Sequence, residues 1–410
     1  MTAGSHPFRS LRNFNYRVWS AGALVSNIGT WMQRIAQDWL VLTVLTNNNA
    51  ASVGIVMALQ FGPQLLLLPF TGYAADHIDR RKLIAATQSA LGLLALGLGL
   101  LTITGLVQLW HVYLFALLLG CVSAFDATVR QTFVSELVGE VDLPNAVALN
   151  SASFNAGRML GPAVAGFLIA AVGSGWMFLI NAASFLAVLL SLNLLRAGEL
   201  QPGSGAVRAR GSLSQGFGYV WARSDLKVIL IMLFLIGTFG LNFPIFISTM
   251  AVGVFHAGAG QFGLLTSAMA AGSVTGALLA AGRGAPRIEL LAGAAALFGG
   301  GCAIAAVAPS YVMFGGVLAF IGIAAQTFTT SANSLAQLST DRVVRGRVMA
   351  IMLATTLGGT LVGGPTVGWV ADVLGPRWAL SVAAAAGGLA AIIALGYVLK
   401  YGRTAPHKAA

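Results

Sequence analysis

Five ionisable side chains sit inside stretches otherwise too apolar for water: Arg34, Asp38, Asp126, Arg130 and Arg158. A charge in hydrocarbon costs at least about 2.5 kcal/mol at a helix centre, so each needs a partner or a task. Arg34 and Asp38 are one helical turn apart on one face, with the polar Gln33 and Gln37 beside them. Helical rise places Asp38 about 6 Å beyond Arg34. A carboxylate so placed can carry a proton. Burial works against its charge, the arginine works for it, and a balanced contest lets it load and unload. The same pair could instead be a static tie between helices, and the residue types leave both readings open.

Arg158 lies deep in another apolar run, about 20 Å in at helical rise, and must face a central cavity or an acid. If it shares a cavity with Arg34 and Asp38, the fixed charge there is positive even with Asp38 ionised. That favours an anionic or neutral amphipathic small molecule over a cationic one. Gln37, Gln60, Gln64, Asn155, Asn242 and Gln326 are expected to supply hydrogen bonds to it. Asn181 and Asn333 are further candidates, and some of these groups will serve as glue between helices. Asn242-Phe243-Pro244 marks a bend.

A second cluster lies between two apolar runs. Gly72 to Lys82 reads GYAADHIDRRK and gathers Asp76, Asp79, Arg80, Arg81 and Lys82. So polar a hairpin must turn at a membrane surface, and its bases put that surface on the cytoplasmic side.

The elements that position these residues follow from hydropathy. Only 9% of the 410 residues are charged, 57% are hydrophobic, and the mean hydropathy is +0.83. A soluble domain carries roughly 25% charge. With about 20 apolar residues needed per crossing, twelve spans are expected: 17–46, 51–75, 83–106, 110–137, 145–172, 175–196, 225–255, 259–282, 288–308, 310–338, 344–373 and 376–400. All but four of the 23 Lys and Arg then fall in the tails and even-numbered turns, the exceptions being Arg34, Arg130, Arg158 and Arg377. Both termini are therefore expected in the cytoplasm. Trp110, Trp176 and Trp378 would mark the outer interface, and Trp19 and Trp221 the inner one. The fold class expected is an all-α membrane protein of two six-helix halves: residues 1–196, a flexible cytoplasmic linker at 197–224, and residues 225–410.

The halves repeat. GRMLGPAVAGFLIAAVGSGW (Gly157 to Trp176) matches TLVGGPTVGWVADVLGPRW (Thr360 to Trp378), and ELVGEVDLPNAVALN (from Glu136) runs parallel to QLSTDRVVRGRVMAI (from Gln337). Parallel repeats of this size are a transporter arrangement. Gly364-Pro365-x-x-Gly368 in the second copy need be no more than shared ancestry.

The spacing Gly72-x-x-x-Asp76-x-x-x-Arg80-Arg81 resembles the loop signature of the major facilitator superfamily, although His77 and Asp79 stand where Arg and Gly are usual. The resemblance implies that Gly72 permits close packing and that Asp76 caps the eleventh helix. It further implies that Arg80 and Arg81 pair with acids in the fourth, here Asp126 with Arg130 one turn on, closing a cytoplasmic gate. Gly157, Gly161, Pro162 and Gly166 on the fifth helix resemble the antiporter motif of that superfamily. SAFDATVRQTFVSELV (from Ser123) and the opening FRSLRNFNYRVWSAG resemble its branch of drug and siderophore exporters that includes the enterobactin exporter. The arginine of the drug–proton signature on helix four is replaced by Ala116.

Other classes fare poorly. GxxxxGK[ST] is absent, the five His have no metal-ligand spacing, and Cys121 and Cys302 lie in separate apolar runs. The net charge of +11 sits in short loops beside spans, which reads as topology and not as a nucleic-acid footprint. No cleaved signal peptide or lipidation box is expected. The expectation is a non-enzymatic, monomeric secondary transporter of a bacterial inner membrane. It would use no cofactor and export small molecules against protons. A uniporter or importer without proton coupling is the alternative, and a non-transporting receptor is more remote.

Overall fold

The computed structural model describes residues 8–201, 213–281, 286–341 and 344–402, and all regular structure among them is helical. In chain order the α-helices are α1 (Phe14–Trp39), α2 (Ala50–Leu66), α3 (Leu68–His77), α4 (Arg80–Ile103), α5 (Leu109–Leu137), α6 (Leu143–Val172), α7 (Ser174–Leu194), α8 (Leu213–Ala222), α9 (Ser224–Leu235), α10 (Phe243–Thr249), α11 (Ala259–Ala281), α12 (Ile288–Ala306), α13 (Tyr311–Leu338), α14 (Arg345–Val373) and α15 (Pro376–Tyr401). Each expected span falls on one of these or on a consecutive run. Among the described residues ten helices are long and apolar enough to cross a membrane, with an eleventh if Ala50–Leu66 and Phe70–His77 cross together. α1 is more polar than that standard allows, with Asn27, Gln33, Arg34, Gln37 and Asp38 along it, yet its 26 residues reach about 39 Å.

The described residues form two compact units. The first comprises those of Met1–Leu40 and Leu66–Val207, the second those of Val41–Leu65 and Arg208–Ala410. The sequence boundary at 197–224 put all of residues 1–196 in one bundle, but Val41–Leu65 packs with the second unit instead. Part of the expected linker is also ordered. α8 docks on α14, where Arg347 donates to Gln215 Oε1 at 2.9 Å and Gly216 leaves room for the Arg347 stem. At its end Arg223 grips Asp225 at 3.0 and 2.5 Å, which holds the guanidinium still more firmly protonated.

In the first unit, α1 is clasped between α6 and α7 by small residues. A Cβ on Gly22 would meet Ala187 O at 2.9 Å, and one on Gly29 would meet Asn181 Oδ1 and Ser184 Oγ at 2.5 Å. From the other side a Cβ on Gly157 would meet the Asn27 backbone at 2.9 Å, and one on Gly161 would meet the Trp31 Cβ at 2.6 Å. Backbones this close gain dispersion that Cβ atoms would forbid. Pro162 and Gly166 are buried on the same helix. Asn13 starts α1 by accepting from Tyr16 N at 3.1 Å. Trp19 does not anchor an interface as expected. It is 1% exposed and packs edge-on to Phe133 at 5.3 Å, with Arg130 over its ring at 5.5 Å.

In the second unit the span from Ser224 breaks at Leu241 and Asn242, where the Asn-Phe-Pro sequence foretold a bend. α14 presses its glycines against two partners. A Cβ on Gly363 would collide with Thr238 O, and one on Gly54 of α2 with Gly364 O. A Cβ on Gly368 would likewise meet Ala50 O, at 2.6 Å. The second glycine motif is therefore a packing surface and more than a relic of ancestry. Asp372 completes it by accepting from the backbone N–H of Ala50 at 2.6 Å and of Ala51 at 2.9 Å. It caps the N-terminus of α2 from another helix.

The internal repeat extends to backbone conformation. Gly173, closing α6, has φ +86°, and Gly375, following α14, has φ +102°. Both lie in a region that L side chains avoid, and both precede a helix that carries Trp176 or Trp378 in its first turn.

Candidate functional site

The α1–α6 clasp brings the sequence-predicted charges together. With Gly157 and Gly161 seated on α1, the intervening Arg158 is carried onto Trp31, its Cζ 5.8 Å from the ring centroid. Arg34 Cζ lies 4.9 Å from the same ring, and Phe154 meets it edge-on at 5.7 Å. Arg34 is within electrostatic reach of both Asp38 and Arg158. Asp38 is 7% exposed and Gln37 1%. Two cations, one carboxylate and an aromatic face thus converge on one membrane-length helix. The ring's negative face offsets part of the repulsion between the arginines. Trp31 went unnoticed in the sequence, though its place three residues before Arg34 puts it on the same face.

The polar candidates divide. Gln33 Oε1 accepts from Asn181 Nδ2 at 2.6 Å, and Asn181 Oδ1 accepts from Ser184 Oγ at 2.8 Å, so these groups join α1 to α7. Asn155 spends its amide on Ser151 O one turn back, at 2.9 Å. Gln60, Gln64, Asn242 and Gln326 belong to the second unit. Gln60 is buried, Gln64 donates to Gln60 O on its own helix at 3.5 Å, and Gln326 donates to Thr330 Oγ1 at 3.0 Å. Asn242 is fully buried and donates to Thr238 O at 2.7 Å, while its Oδ1 has no hydrogen-bond partner among the described residues.

The hairpin cluster differs from expectation in its partners. Arg80 pairs with Glu136 at 2.7 Å and donates to Ala75 O. It does not pair with Asp126, which lies ten residues earlier on α5, about 15 Å away along the helix. Asp126 is occupied by Thr87 and Gln88, each donating at 2.7 Å, and by Arg130 at 3.6 Å. Asp79 N-caps α4 through Lys82 N at 2.8 Å, while Asp76 is exposed and Arg81 half-buried. A Cβ on Gly72 would meet nothing within 4 Å, so this glycine does not serve close packing. Glu136 was present in the quoted α5 run, but only depth along the helix distinguishes it from Asp126.

Two helix-rich units, a buried charge cluster and a charged hairpin suit a membrane carrier, and comparison with known proteins decides the family. Residues 5–408 match the transmembrane secretion effector family of the major facilitator superfamily. The chain belongs to that family. That family is one of multi-pass membrane transporters and not of enzymes. The chain is 34% identical to the staphyloferrin A transporter of Staphylococcus aureus over 41% of this chain and 42% of that one. To the multidrug efflux pump Tap of Mycolicibacterium fortuitum it is 29% identical over 51% and 53%. These matches span about half the length of the relatives or less. The match to the enterobactin exporter EntS of Shigella flexneri is 24% identical but covers 79% and 77%. In fold, it resembles an inward-facing, occupied bacterial homologue of the lysosomal transporter Spinster, with TM-score 0.74 at 14% identity over 98% and 100% of the chains. The xylose transporter XylE of E. coli gives 0.69 at 14% over 93% and 95%.

Proposed function

We propose that this transporter is a proton-coupled exporter of small amphipathic or anionic molecules, such as drugs or siderophores, working by alternating access in a bacterial inner membrane with both termini cytoplasmic. The observation that carries the reading is the Arg34–Trp31–Arg158 cluster with Asp38 buried one turn away. A buried carboxylate beside an arginine that also meets a second cation can exchange a proton for a substrate anion, because each arrival changes the net charge that the other meets. The aromatic face adds affinity for planar substrates. Protonating Asp38 from outside would weaken Arg34's tie and favour release outward, and deprotonation inside would reset the site. The names of the relatives support export of siderophores and drugs, and the Arg80–Glu136 pair is suited to a cytoplasmic gate.

The test is transport in proteoliposomes under an imposed pH gradient, with an anionic catecholate, a neutral macrolide and a cationic dye. Gradient-driven flux lost in Asp38→Asn with counterflow preserved is the expected result. Flux indifferent to the gradient would remove proton coupling and leave a uniporter. Arg158→Ala should weaken transport of the anion more than of the neutral substrate, and equal loss for both would sink the cavity-charge argument.

A further inference from the structure

The surface of the second unit carries a groove that the transport reading leaves unused. α12 and α13 part over about 230 Å³. The gap exists because Gly293 presents no side chain to it, and a Cβ there would meet nothing within 4 Å. Leu297 and Phe320 at its rim are 55% and 42% exposed, so it opens outward and not into the unit's core. Its lining is apolar except for Glu289 and Thr327. Glu289 stands in the first turn of α12, where the span meets the membrane surface, and Arg287 just before it is exposed. Among the described residues no base pairs with Glu289.

We propose that this groove holds a membrane phospholipid with a primary-amine headgroup, its ammonium on Glu289 and one acyl chain laid over Gly293 toward Leu297. The path from Glu289 to Leu297 accommodates about 12 Å of chain. Hydrocarbon alone cannot select the lipid, since a tail in the groove and a tail in the bilayer are equally apolar. Residence must come from the headgroup. An ammonium donates up to three N–H bonds to a carboxylate and a hydroxyl, whereas a quaternary choline donates none. Arg287 supplies the opposite charge for the neighbouring phosphate, so a zwitterion with a primary amine matches both ends. A headgroup bearing only negative charge meets Glu289 unfavourably.

The test reconstitutes the full chain in nanodiscs holding equal phosphatidylethanolamine, phosphatidylcholine and phosphatidylglycerol, extracts it into mild detergent and counts retained lipids by native mass spectrometry. Wild type should retain the ethanolamine lipid over the choline lipid by about fivefold. Glu289→Gln should bring that ratio to about one while total retained lipid changes little. Gly293→Leu fills the groove and should lower total retention, with thermal stability as the folding control. The proposal is overturned if wild type shows no preference for the ethanolamine lipid, or if both variants retain it as wild type does. Displacement by dodecylamine from wild-type protein that showed no lipid preference would instead assign the groove to cationic amphipaths in general, which also overturns it.

Discussion

The α1–α6 clasp and the α2–α14 clasp are built alike and used differently. In both, glycines one turn apart let backbones touch: Gly157 and Gly161 on α6, Gly364 and Gly368 on α14. Both motifs descend from the same segment of the internal repeat. The first clasp encloses Arg34, Asp38 and Arg158, charges that leave a net positive balance even with Asp38 ionised. The second holds a single carboxylate, Asp372, already spent on two backbone N–H groups. A shared packing device therefore leaves one copy with unbalanced buried charge and the other with a mechanical joint.

Asp38→Asn breaks the comparison at its strongest point. It should lower gradient-driven flux more than about tenfold, a loss of transition-state stabilisation without loss of fold. Flux that survives the change would make the first clasp as structural as the second. Next in size, Gly363→Val forces a side chain into Thr238 O and should cost about 3 kcal/mol by overpacking, read as a lowered Tm. An unchanged Tm would mean that α14 and the Thr238 turn separate freely. Asp372→Ala removes a cap and should cost about 1–2 kcal/mol, whereas Asp372→Asn, keeping one acceptor, should cost less. Equal losses from the two would show that charge and not hydrogen bonding holds the joint. Smaller still, Glu136→Gln should slow transport while Asp126→Asn chiefly lowers stability, since Asp126 serves Thr87 and Gln88. Gly72→Ala closes the series, with open space at its Cβ and an expected change within about 0.5 kcal/mol.

Much of this was legible in the sequence because apolar length, basic turns and repetition are local or nearly local signals. The all-helical membrane fold, the break at Asn242 and the α6 packing glycines follow from them. Contacts that depend on how far one helix slides along another were not legible. Asp126 and Glu136 are both acids on α5, and only the depth at which α4 begins gives Arg80 to the second. Nothing near Asp372 in the chain hints at Ala50, 322 residues away. Val41–Leu65 carries no compositional mark of the unit it joins. Asp38 was found because a carboxylate in hydrocarbon is conspicuous, and Trp31 was missed because a tryptophan there is not.

The Asp372 cap also has a place in time. Ala50 and Asp372 are 322 residues apart in the chain. A ribosome adding 5–20 residues per second therefore places Ala50 about 16–64 s before the residue that caps it exists. During that interval α2 sits in the membrane with its first amides held by water and its Gly54 face unmatched. Joining α2 to α14 can only be a late event of biogenesis, and a chain stalled before α14 would present that open face to the cell's membrane proteases.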